Sequence, residues 1–160
     1  MKVKDIIDID FLNYKKPSMY IAFPYCSFKC EKDCMNQHFC QNSSLVKQPS
    51  IEITTSQILV KYKEAKNFNT QALVLCGLEP FDSKEDLFDL ISRFRTHFED
   101  DIVIYTGYTE MELYEEINCL KQYSNIVIKF GRFVPGQEKH YDDILGVYLA
   151  SNNQYARKIS

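Results

Sequence analysis

An α/β domain built on an open, curved, mostly parallel sheet is the fold class the sequence predicts, and three observations predict it. Short apolar runs rich in β-branched and aromatic residues alternate with longer segments of helical periodicity. The helical segments open on capping signals. A closed eight-unit barrel needs about 250 residues, and a chain of 160 residues has room for only part of one.

The elements follow in order. MYIAF (19–23), ALVLC (72–76), IVIYT (102–106), IVIKF (126–130) and LGVYL (145–149) are continuous apolar runs, as expected of strands buried on both faces. Between the first two, Thr54 with Gln57 forms a capping box, and Ile58, Leu59, Tyr62 and Ala65 follow at helical spacing. Ser83 with Asp86 opens a second helix, whose Leu87, Leu90, Ile91, Phe94 and Phe98 fall on one stripe. Thr109 with Glu112 opens a third, with Leu113, Ile117 and Leu120 facing inward. Alternation of this kind implies parallel strands joined by right-handed crossovers. One domain spanning residues 1–160 is expected, with no internal repeat or linker.

Composition narrows the function. Hydrophobic content of 45%, charged content of 26% and a net charge of −3 describe an ordinary globular chain. Nothing basic enough for nucleic acid or an anionic membrane is present. No apolar run approaches the roughly 20 residues that span a bilayer. The opening MKVKDIIDID is acidic and lacks the apolar core of a secretory signal. A cytoplasmic setting is therefore expected, in which thiols stay reduced.

That setting gives weight to CSFKCEKDCMNQHFC, residues 26–40, which holds four of the six cysteines. Cys76 and Cys119 lie in apolar surroundings and read as small core hydrophobes. The cluster spacings are C-x3-C, C-x3-C and C-x5-C. They lack the C-x2-C pair typical of structural zinc and of thioredoxin-like redox motifs. A four-thiol zinc knuckle, with His38 in reserve, is one reading; an iron–sulfur cluster is the other. The cysteines follow the first predicted strand, and sites of parallel α/β sheets lie at carboxyl ends of strands. The remaining strands run into Gly77-Leu78-Glu79-Pro80, Thr106-Gly107-Tyr108, Lys129 with Gly131-Arg132, and Ser151-Asn152-Asn153-Gln154. All are polar or glycine-rich, as a ligand site along one edge requires.

C-x3-C after an N-terminal strand, a third cysteine, and GLEP at the end of the next strand resemble the radical S-adenosylmethionine (SAM) superfamily. IYTGYT and GRFVPG…LASNNQ are similar to segments of the small activases of anaerobic ribonucleoside-triphosphate reductase. The resemblance implies an open partial (β/α) barrel with helices on the outer face, and a cluster loop over residues 24–46. It implies three thiolates holding a 4Fe-4S cluster with one open iron for SAM. Cys26 and Cys30 would be two of them. The third is Cys40 or Cys34, since each is followed by a residue and then Asn, and Cys40 is preferred because Phe39 precedes it. Phe39 and Tyr108 would lie beside the adenine or ribose, with a stacked ring contributing roughly 1–3 kcal/mol. Glu79 with the Gly77 backbone would hold the SAM amine, Leu78 would point into the core or at the cofactor, and Thr106 and Lys129 would meet the methionine part. One-electron cleavage of SAM would yield methionine and a 5′-deoxyadenosyl radical. The implied target is a glycine of a glycyl-radical enzyme, an anaerobic ribonucleotide reductase, and the implied electron donor a reduced flavodoxin-like protein. The five aromatics Tyr14, Tyr20, Phe23, Tyr25 and Phe28 around the first strand read as core or as a docking surface. The sequence departs from the family at Leu78, where Gly is usual, and at Asn13–Ser18, where a Gly-Pro-Gly-like stretch is usual.

Overall fold

In a computed structural model, which describes residues 1–33 and 40–160, the chain forms a mixed α/β sheet domain. The elements in chain order are β1 (Lys2–Val3), β2 (Asp5–Asp10), β3 (Ser18–Phe23), α1 (Lys29–Asp33), α2 (Ser43–Lys47), β4 (Ile51–Glu52), α3 (Thr55–Lys66) and β5 (Ala72–Gly77). A 3-10 turn (Pro80–Ser83), α4 (Lys84–Arg95), β6 (Asp101–Tyr105), α5 (Tyr114–Leu120), β7 (Ile126–Phe130), β8 (His140–Asp142), β9 (Val147–Leu149) and β10 (Tyr155–Lys158) complete it. The main sheet has the order β10-β7-β6-β5-β3-β2. Its four inner strands are parallel, in register Ser18 with Ala72, Ala72 with Asp101 and Ile102 with Ile126. Both edge strands, β2 and β10, are antiparallel to their neighbours.

Alternation along the strands sorts the residues onto two faces. Ile21, Leu73, Leu75, Ile102, Ile104, Ile126 and Ile128 point to one face, where Ile58, Tyr62, Leu87, Leu90, Ile91, Phe94 and Leu120 from α3, α4 and α5 close over them. Each such side chain, fully buried, contributes roughly 1.5–3 kcal/mol. The other face, carrying Val74, Cys76, Val103, Val127 and Ala156, is covered by no helix among the described residues. Tyr14, Leu145 and Leu149 cap part of it.

Four sequence expectations change. LGVYL does not join the main sheet: only Val147–Leu149 are extended, and they pair antiparallel with β8 in a separate two-stranded hairpin. Gly146, at φ +73°, makes the turn between them. The third helix starts later than its capping signal. Thr109 and Glu112 do exchange side-chain and backbone hydrogen bonds, but α5 begins at Tyr114. Ser83 makes no side-chain cap on α4, because the 3-10 turn already leads into it. Cys119 is exposed, since Ile117 and Leu120 take the inward positions of α5. Of the five aromatics near β3, Phe23 and Tyr14 are core while Tyr25 stands in solvent.

Candidate metal and cofactor site

The strand ends expected to share a site do share one. A cavity of about 490 Å³ opens on the helix-free face at the carboxyl ends of the parallel strands, and Cys26, Cys30, Cys40, Gly77, Glu79 and Lys129 all line it. Leu78 and Thr106 also line it. Phe39 and Cys34 lie outside the described residues, so the choice between Cys34 and Cys40 is not made there.

The cysteine loop is held by the sheet it crosses. Phe28 takes a left-handed conformation at φ +54°, and its N–H donates to Cys26 Sγ at 3.2 Å. Its carbonyl accepts from Glu31 and Lys32, which starts α1 and presents Cys30. Glu31 accepts the Cys40 N–H at 3.3 Å. Two residues on, Asn42 donates from Nδ2 to the Gly77 carbonyl at 2.5 Å, tying the far end of the loop to the end of β5. Burial pushes the Cys26 thiol up to about 12, with the Phe28 N–H opposing the rise. Cys30 and Cys40 are raised by the same cause, and the backbones of Phe133 and Asn42 oppose it. Three thiols lining one cavity, each beside a backbone hydrogen bond, are a donor type that suits iron–sulfur ligation, where such bonds to sulfur tune the cluster. Binding would release the thiol protons. Among the described residues no group of three or more His, Cys, Asp or Glu side chains is already placed to hold a metal ion.

Gly77 ends β5 at φ +95°, and a Cβ there would meet the Phe23 nitrogen at 2.6 Å. Only glycine fits. The turn carries Leu78, half-buried, into the cavity wall. Glu79 follows, 5% exposed. Its Oε1 accepts from Thr106 Oγ1 at 2.8 Å and its Oε2 from the Gly107 N–H at 2.8 Å. Burial raises its carboxyl to about 7 despite those bonds. Lys129, also buried, donates to the Gly131 carbonyl at 2.9 Å and is lowered to about 8 by desolvation, with Glu79 opposing. The cavity lining thus carries Asp5, Asp10, Glu31 and Glu79 against the one ammonium of Lys129 among the described residues.

Tyr108 is placed differently from the other predicted residues. It lies behind the cysteine loop rather than in the large cavity, in a small recess with Cys26, Cys30, Glu79 and Arg132. Lys29 Nζ stands 4.3 Å from its ring centroid and the Arg132 guanidinium 5.9 Å. Its hydroxyl donates to Asp82. Asp82 escaped the sequence reading of the site, with no signal beyond adjacency to motif residues. Asn42 entered it only through the C-x-N pattern, and Arg132 only as the end of a strand. Arg132 clasps Glu112 at 2.6 and 2.9 Å, holding that carboxyl down at about 2 and joining the end of β7 to the turn before α5.

A family model described as a 4Fe-4S single cluster domain matches residues 18–155. The chain belongs to the 4Fe-4S single cluster domain family. This family match indicates a 4Fe-4S cluster-binding domain. It spans the chain from β3 to the first residue of β10. Comparison with curated proteins and with solved structures returns no match. No helix among the described residues is long and apolar enough to cross a membrane.

Proposed function

We propose that this 4Fe-4S domain is a radical SAM activating enzyme with the open partial-barrel architecture of that superfamily. Cys26, Cys30 and Cys40 are its cluster ligands. Its target is a glycine of a glycyl-radical enzyme, an anaerobic ribonucleotide reductase, in a cytoplasmic setting with a reduced flavodoxin-like donor. One observation carries the reading: a single cavity gathers the three cysteines with the GLEP turn and Lys129 at the ends of parallel strands. When bound, a 4Fe-4S cluster with an open iron supplies the electron that cleaves the SAM sulfonium.

The residues supply the rest. A lining rich in carboxylates favours a ligand carrying a sulfonium and an ammonium. Glu79, braced by Thr106 and the Gly107 amide, is oriented to accept an ammonium proton. Lys129 gives the one cationic point for a carboxylate among the described residues that line the cavity. The Gly77 turn brings backbone close without a side chain. Burial excludes water from around these groups, which strengthens each charge contact. A second reading, a cluster module that binds no SAM, has Leu78 in its favour, because a side chain lines the wall where the resembled family has glycine.

Anaerobic incubation of the iron-loaded, dithionite-reduced protein with SAM tests the proposal. We expect methionine and 5′-deoxyadenosine in equal amounts, abolished in Cys26→Ala, Cys30→Ala and Cys40→Ala. A fully loaded cluster that leaves SAM intact would support the second reading. Cleavage that survives Cys40→Ala and is lost in Cys34→Ala would reassign the third ligand.

A further inference from the structure

We infer that Asp82 is a positioning residue for the cluster, holding the Cys26 arm of the loop in place and setting how readily the cluster takes an electron. The inference rests on Cys26 being a cluster ligand. Asp82 sits on the 3-10 turn directly after the GLEP stretch and is half-buried. Its Oδ2 accepts the Ser27 N–H at 2.5 Å, and its Oδ1 accepts the Tyr108 hydroxyl at 2.5 Å. Ser27 Oγ and the Tyr108 oxygen stand 3.5 Å apart, which closes a triangle of three residues, with Ser27 joined to Asp82 through its backbone amide.

The consequence reaches the sulfur through one peptide. Ser27 is clamped by Asp82, and the next amide, Phe28 N–H, lies on Cys26 Sγ at 3.2 Å. Phe28 is left-handed at φ +54°. Such a backbone is unfavourable for a non-glycine residue and persists only where neighbours hold it. The charge-assisted bond from Ser27 to Asp82 is the holder, since bonds of that kind are about twice as strong as neutral ones. Without it the Phe28 amide would leave the sulfur.

Charge gives the second effect. Lys29 and Arg132, which stand against the Tyr108 ring, both pair with Glu112. Among the described residues no cation pairs with Asp82. Its negative charge therefore acts on Cys26 and on whatever that sulfur binds. Reduction adds an electron to the cluster, and net charge beside a cluster is one of the terms that set its potential. Asp82 thus makes the cluster harder to reduce and the reduced form a stronger donor. The Tyr108 hydroxyl, by donating to the carboxylate, moderates that charge.

The test is a redox titration of the loaded protein without SAM, read by EPR, with iron and sulfide counted per chain. Asp82→Asn keeps one acceptor oxygen for the Ser27 amide and removes the charge. It should retain iron and raise the reduced-to-oxidised ratio at a fixed potential about tenfold, equivalent to about 59 mV for one electron. Tyr108→Phe keeps the charge and removes its hydrogen bond, so its ratio should move the other way. Asp82→Ala should lose at least half its iron while the apo-protein still melts cooperatively. A ratio in Asp82→Asn within about twofold of the parent, about 18 mV on the same scale, would overturn the inference, as would full iron in Asp82→Ala. Should Asp82→Asn hold no iron, Tyr108→Phe decides, and an unmoved ratio there overturns it. A Cys26→Ala protein with an intact cluster would instead remove the ligand assignment beneath it, so the two failures are distinguishable.

Discussion

Gly77 shows at the level of one residue how the sheet and the site constrain each other. Its positive φ and the 2.6 Å approach to the Phe23 nitrogen leave no room for a Cβ. Gly77→Ala should lower unfolding free energy by about 2–4 kcal/mol, combining the left-handed penalty with a backbone clash, as read by urea denaturation of the apo-protein. Glu79 makes a pH-dependent prediction. Its carboxyl stands at about 7 when folded, above its ordinary 4.5. Between those values the folded chain binds more protons than the unfolded one, so stability falls as pH rises from 4.5 to 7 and levels off above. Glu79→Gln removes that slope. The variant should gain on the parent across the interval, by up to about 3 kcal/mol at pH 8 relative to pH 4, in apo-protein melts at a series of pH values. The same substitution should weaken SAM binding at least tenfold if the carboxylate holds the amine. Gly77 and Glu79 stood out in the sequence through the resemblance of GLEP to a family motif, and both line the cavity. Asp82 did not, since an aspartate in a turn has many ordinary uses and only distance to Ser27 distinguishes it.

At the scale of elements, the capping box that opens α3 is complete. Thr54 Oγ1 accepts the Gln57 amide at 3.2 Å and Gln57 accepts the Thr54 amide at 2.9 Å. Thr54→Ala should cost about 1 kcal/mol, measurable as a lowered urea midpoint with unchanged slope. The four parallel strands and three long helical segments were legible because their apolar residues recur with clear periods. The antiparallel edges were not. DIIDID in β2 interleaves aspartates with isoleucines and has only Asp10 buried, and YARK in β10 offers one buried residue, Ala156. Edge strands face solvent along one side, so their sequences carry little apolar signal. LGVYL misled for the opposite reason. Leu145 and Leu149 are buried beneath the hairpin on the helix-free face, which gives a strand-like apolar run without a place in the main sheet.

The whole molecule has one face sealed by helices and one left for chemistry. Leu90 lies in the sealed core, fully buried, and Leu90→Ala should cost roughly 2–5 kcal/mol in apo-protein denaturation without altering the cavity lining. The open face collects every strand end of the parallel set, and the cysteine loop, the GLEP turn and Lys129 meet there although they are far apart in sequence. That convergence was legible as a rule about parallel sheets. The charge of the cavity was not, because Asp5 and Asp10 reach it from an edge strand the apolar pattern did not reveal. The central claim is that this face holds a 4Fe-4S cluster with an iron open to SAM. The measurement that tests it most directly is EPR of the reconstituted, reduced protein with and without SAM. A reduced 4Fe-4S signal whose g-values shift on SAM addition is the result this account predicts, and a cluster signal indifferent to saturating SAM would contradict it.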